Sequence, residues 1–150
     1  MPATNKKDAA MDRTTRFEIL CKSDQESLLE LAEAVLEMSE VSVTTPPRVG
    51  MLMLRVREPV DGAIFNAGEV LVTEAQVSLG EYRGYGMRLG REPEATLAAA
   101  VLDAAVEARH ALTPRVMDGL RAMAAAEQAR QQAAWDSVAP TRVSFEEMRQ

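Results

Sequence analysis

Apolar residues follow two different periods along this chain, and the switches between them divide it into elements. Phe17, Leu20, Cys21, Leu28, Leu31, Ala32, Val35 and Leu36 recur at helical spacing. The spacing predicts helix from Thr14 or Thr15 to near Met38, interrupted around Lys22 to Gln25, where Ser23 and Glu26 have the form of a capping box. Alternation then takes over. Val41 to Gly50 reads as a short strand, and Pro46-Pro47, which cannot donate ladder hydrogen bonds, demands a turn or a sheet edge. Met51 to Arg57 reads as a second strand, with Leu52, Leu54 and Val56 on one side and Met51, Met53, Arg55 and Arg57 on the other.

The stretch Phe65 to Gly90 predicts a long β-hairpin. From Glu69 onward, Leu71, Thr73, Ala75, Val77 and Leu79 share the face expected to meet the core, and Gly80-Glu81 supplies a tight turn. In the returning strand Tyr85, Met87 and Leu89 lie on one face. Gly84 and Gly86 lie on the other, where only the close approach of another backbone or a partner compensates for the missing side chains. After Gly90 the period becomes helical again, with Leu97, Val101, Ala104, Ala105 and Ala108 on one stripe and Pro93 suited to the first turn. Thr113-Pro114 marks a fresh start for a helix through Ala134 that is weakly amphipathic and expected to lie away from the core. Pro140 ends the regular pattern.

The fold class is therefore α+β: one domain over residues 1–150, an antiparallel sheet of about four strands, N-terminal and C-terminal helices, and an extended C-terminal tail. Residues 1–13 are expected to lie loose. Residues 135–150, with Trp135, Val138, Val143, Phe145 and Met148 as sparse apolar anchors, are expected to dock on a partner. The alternative is that Trp135 caps this chain's own helices and the rest frays.

Composition narrows the function. A net charge of −6 opposes binding to a polyanion. One cysteine, Cys21, and one histidine, His110, rule out a disulfide within the chain and any self-contained metal site built from several thiolates or imidazoles. No apolar run approaches the ~20 residues of a membrane span, and no apolar segment follows the charged start, so cytoplasm is the expected location. Aromatic residues are only 4% of the chain, which limits the area a core can bury and suggests stability shared with partners.

Individual residues give few chemical leads. Gly84 to Arg91 superficially resembles a dinucleotide glycine loop, but its spacing differs and its first glycines fall inside a strand. Arg55, Arg57 and Arg88 are candidates for one outer-face patch that binds an anion or a partner carboxylate; the plainer reading is a solvated patch balanced by Glu69 and Glu74. His110 fits a helix-terminal cation, Cys21 a small core residue, and Asp103 either a local hydrogen bond or an interface. No catalytic, cofactor-binding or metal residue is assigned. An independent small-molecule or nucleotide-binding protein remains the alternative to a subunit.

The order of motifs carries more. Gly68-Glu69-Val70, Thr73-Glu74-Ala75, Gly84-Tyr85-Gly86, Gly90-Arg91, Leu102-Asp103-Ala104 and Thr141 to Phe145 with Met148 resemble the PhnG family, over about Arg16 to Met148. The resemblance implies a subunit of the bacterial carbon–phosphorus lyase core complex, used in phosphonate metabolism. In that family the chain works with PhnH, PhnI and PhnL in a transferase reaction: a phosphonate displaces adenine from MgATP to give a ribose 1-phosphonate 5-triphosphate. PhnI is the nucleosidase-like candidate for catalysis. PhnJ later cleaves the carbon–phosphorus bond with an iron–sulfur cluster and S-adenosylmethionine. The chain itself is expected to hold no cofactor and to be inactive in isolation; Gly84, Gly86, Trp135, Val143, Phe145 and Met148 are its candidate interface.

Overall fold

A computed structural model describes residues 11–141. In chain order the elements are α1 (Arg13–Lys22), α2 (Gln25–Met38), β1 (Ser42–Arg57), β2 (Ile64–Leu79), β3 (Tyr82–Leu89), α3 (Pro93–Glu107) and α4 (Thr113–Val138), closed by a 3-10 turn at Ala139–Thr141. The expected α+β architecture is present. Among the described residues no helix is long and apolar enough to cross a membrane.

The break between α1 and α2 falls where the sequence places it, but the capping residue is different. Asp24, not Ser23, is the N-cap of α2: its carboxylate accepts the Ser27 N–H at 2.9 Å, which also lowers its pKa. Ser23 instead ends α1, its hydroxyl donating to the Ile19 carbonyl at 2.7 Å. The helix start is also earlier than expected. Asp12 caps α1 and Arg13 is its first residue, so residues 12 and 13, expected to lie loose, are ordered; residues 1–10 lie outside the described residues.

Three strands, in the order β1-β2-β3, form the antiparallel sheet, one fewer than expected. Pro46 and Pro47 do not separate two strands. They lie within the single 16-residue β1, where the pairing skips them and the register shifts between Thr45 and Arg48. An edge strand tolerates this because its outer side has no ladder to interrupt. The β2–β3 hairpin turns through Gly80 and Glu81, with Leu79 opposite Tyr82 and Gly80 at φ 60°.

The core lies beneath α3. Thr73, Ala75 and Val77 are buried on the sheet face it covers, and α3 touches all three strands and all three other helices. This central position explains a departure from the expected single stripe. Ala95, Thr96 and every residue from Ala98 to Ala105 are buried, so alanines on most sides allow the surrounding layers to come close. α4 packs through Val116, Leu120 and Met123, then continues to Val138 with no buried residue after Met123. Its first half belongs to the core and its second half extends past it.

Candidate functional site

Gly84 and Gly86 make the close approach that their sequence context demands, but the neighbour is this chain's own α3. A Cβ on Gly84 would lie 2.0 Å from the Ala100 carbonyl oxygen; one on Gly86 would lie 2.2 Å from that of Thr96. Both glycines are buried against α3, so neither offers a surface to a partner. The interface reading of these two positions is corrected accordingly.

Between them, Tyr85 joins β3 to a buried charge cluster. Its N–H donates to Asp103 Oδ2 at 3.1 Å, and Asp103 also accepts from Arg13 Nη2 at 2.7 Å and Arg16 Nε at 2.9 Å. Arg16 and Asp103 are each 3% exposed, and Arg16 further pairs with Glu107. Asp103 is thus the point at which α1, β3 and α3 meet. The hydrogen bond to Asp103 raises the Arg13 pKa, and the Arg13 guanidinium also reaches the Arg83 carbonyl at 3.1 Å. On the other face, Tyr85 stacks on Phe17 and donates its hydroxyl to Glu74, which Arg48 also pairs; burial, then this bond, push the phenol up to about 12. The cluster gives the Tyr85 N–H and the Arg83 carbonyl partners at the outer edge of β3.

Arg88 does not join Arg55 and Arg57. It shares the helix-facing side with Gly84 and Gly86, is 7% exposed, and donates to the carbonyls of Leu20 and Ser23 at 2.7 Å each while pairing with Glu92. It holds the C-terminal end of α1, where unpaired carbonyls favour a cation. The three-arginine patch is therefore absent. Cys21 is partly buried, and desolvation pushes its thiol up to about 11, against a nucleophilic role. His110 lies beyond the end of α3, with its Nδ1 3.1 Å from the Leu112 nitrogen and its Nε2 2.9 Å from the Ser39 hydroxyl. Among the described residues, no three His, Cys, Asp or Glu side chains are placed to share a metal ion.

The unsatisfied feature lies elsewhere. β3 pairs with β2 only from Val72 to Leu79, whereas β1 follows β2 along its whole length. Gly50–Arg57 and Ile64–Leu71 therefore form a two-stranded arm beyond the sheet, about 27 Å long at the usual rise. Cross-strand pairs point to the same face, so Met51 and Leu71 lie on one side of the arm and Leu52 and Val70 on the other. Both faces are apolar and open: Met51 is 55% exposed, Leu54 43%, and Ile64 and Phe65 half exposed. Arg55 and Arg57 lie towards its tip, with Arg57 donating to the Gly62 carbonyl at 2.8 Å. The sequence carried a signal for this, since Met51 to Leu54 is apolar on both alternating sides, as in a strand covered on both faces.

Trp135 is 59% exposed on the distal part of α4, so it belongs to a helix rather than an extended tail and does not cap this chain's helices. Val143, Phe145 and Met148 lie outside the described residues.

The chain combines an α+β fold with an internal charge cluster and, among the described residues, a two-stranded arm with exposed apolar side chains on both faces. The chain belongs to the PhnG family: the family model described as "Phosphonate metabolism protein PhnG" matches residues 11–150. It is a phosphonate-metabolism protein. No curated protein matches the chain.

Proposed function

We propose that this protein is an accessory subunit of the carbon–phosphorus lyase core complex. It acts with homologues of PhnH, PhnI and PhnL in the step in which a phosphonate oxygen bonds to the ribose C1′ of MgATP, the N-glycosidic bond breaks and adenine leaves. PhnJ, with its iron–sulfur cluster and S-adenosylmethionine, is a further partner in the same assembly. The arm supports this reading: a two-stranded ribbon is marginal in water, and one with apolar side chains on both faces gains its stability by inserting between surfaces of other chains. The family match supports the metabolic setting.

The test is adenine release from ATP and methylphosphonate by the full set of subunits, by the set lacking this chain, and by this chain alone. Release is expected only from the full set. Release by the isolated chain at a comparable rate overturns the accessory role. The double variant Met51→Glu/Leu54→Glu, which charges both faces of the arm, should weaken assembly by roughly thirty-fold or more if these side chains are buried anchors. Unchanged assembly would remove the arm from the interface.

A further inference from the structure

Among the described residues a second exposed apolar surface lies near the other end of β1. Between α2, the start of β1 and α3 runs an apolar groove of about 340 Å³, floored by Val77 and Val101 and walled by Leu36, Val43 and Leu97. Leu36 is 48% exposed and Val43 51%, so its walls stand open. Glu33 and Glu94 are the charged residues of its lining, and no Lys or Arg lines it.

The charge beside the groove is one-sided along the whole helix. Glu26, Glu30, Glu33 and Glu37 follow one another at three- and four-residue steps, a spacing at which like charges repel, and Gln25–Met38 contains no Lys or Arg. Glu37 stands in the last turn, where the helix dipole disfavours an anion and which holds no basic residue. The closest internal compensation is Arg115, 3.5 Å from Glu30. An acidic protein accounts for glutamates on a solvated face, but not for an open aliphatic groove beside them.

We infer that this groove receives an amphipathic segment of a partner subunit that inserts aliphatic side chains between Leu36, Val43 and Leu97 and sets Lys or Arg against Glu33, Glu37 and Glu94. The inference rests on the subunit reading above. Val43 and Leu54 are eleven residues apart on one strand, roughly 35 Å at the usual rise, so the groove and the arm engage separate surfaces. Charge complementarity selects the occupant: cations on the segment are steered to the acidic helix and relieve its self-repulsion.

The experiment uses the co-expressed remaining subunits of the assembly and the purified full chain, with binding followed by biolayer interferometry at several salt concentrations. Glu33→Lys/Glu37→Lys should leave thermal stability intact or improved, while slowing association about ten-fold and flattening its salt dependence. Leu36→Asp should speed dissociation. Carbodiimide treatment of the wild-type assembly should join Glu33 or Glu37 to a lysine of another subunit. Wild-type kinetics in the charge variant together with no such cross-link overturns the inference while leaving the arm reading intact. Cross-links only between copies of this chain overturn it in favour of self-association. Failure of the wild-type chain to bind the other subunits at all defeats the subunit reading, and this one with it. If Leu36→Asp does not fold, the charge variant and the cross-link decide alone.

Discussion

The contact of β3 with α3 has no room for a methyl group, and Gly84→Ala tests it directly. A Cβ at this position lies 2.0 Å from the Ala100 carbonyl oxygen and 2.6 Å from the Ala104 nitrogen, whereas ordinary contact begins at 3.4 Å. The obstruction is helix backbone, which cannot rotate aside, so α3 must recede by about 1.4 Å. A gap of that size forfeits half or more of the dispersion attraction along the contact. It also stretches the 3.1 Å bond from the Tyr85 N–H to Asp103 beyond hydrogen-bonding range. Overpacking costs about 1–3 kcal/mol and the lost buried bond about 1–2 kcal/mol, so the variant should lose about 4 kcal/mol. Urea unfolding of the purified chain followed by circular dichroism measures this, and the melting temperature should fall by roughly 8–16 °C. Gly50→Ala is the control, because a Cβ there meets nothing within 4 Å and the backbone is not left-handed. A loss below ~1 kcal/mol for Gly84→Ala would refute the seating of α3 on β3.

Removing the Asp103 carboxylate leaves Arg16 buried with only Glu107 to answer it, so Asp103→Ala should cost about 3–5 kcal/mol in the same unfolding assay. Replacing the cap, Asp24→Ala, should cost about 1 kcal/mol and leave the fold unchanged by circular dichroism. The Cys21 thiol, raised from 9.0 to about 11, should react with iodoacetamide more slowly at pH 8.5 in the folded than in the urea-unfolded chain. Because the folded state disfavours its thiolate, the Cys21 contribution to stability is intact below pH 9 and declines as pH rises from 9 to 11. Cys21→Ala should abolish that part of the alkaline loss, measured as the urea midpoint against pH.

Periodicity made most of the elements legible. The hairpin, its Gly80 turn, the end of α2 at Met38 and Pro93 at the first turn of α3 all follow from local rules, because local sterics and hydrogen bonding decide them. Long-range pairing was not legible. Nothing near Gly84 in the sequence says whether α3 or another chain fills its missing side chain, and nothing near Arg88 says that its partners are carbonyls 65 and 68 residues earlier. Pro46-Pro47 misled the strand count because proline at a sheet edge can interrupt pairing without ending the strand. Asp103 reads from the sequence as either a local hydrogen bond or an interface residue, because its arginine partners lie 87 and 90 residues away.

The same sheet is closed at one end and open at the other, and the length of β3 sets the boundary. Where β3 is present, Gly84 and Gly86 bring α3 down onto the sheet, Thr73, Ala75 and Val77 are covered, and Arg13, Asp103 and Arg88 meet polar groups at or near the free strand. Where β3 ends at Leu89, β1 and β2 continue with the same apolar alternation, and among the described residues Met51 to Leu54, Ile64 and Phe65 stay exposed. Four of the arm's exposed apolar residues are the consecutive Met51, Leu52, Met53 and Leu54; flexible thioethers adapt to an uneven surface better than branched side chains. Substitutions under α3 should therefore act on the folding of the chain, whereas substitutions between Gly50 and Leu71 should act on its association. The two groups separate in one comparison: Gly84→Ala lowers the melting temperature of the isolated chain, and Met51→Glu/Leu54→Glu leaves it nearly unchanged while assembly is lost. A large fall in the isolated chain's stability on charging the arm would mean that the arm is held by its own core.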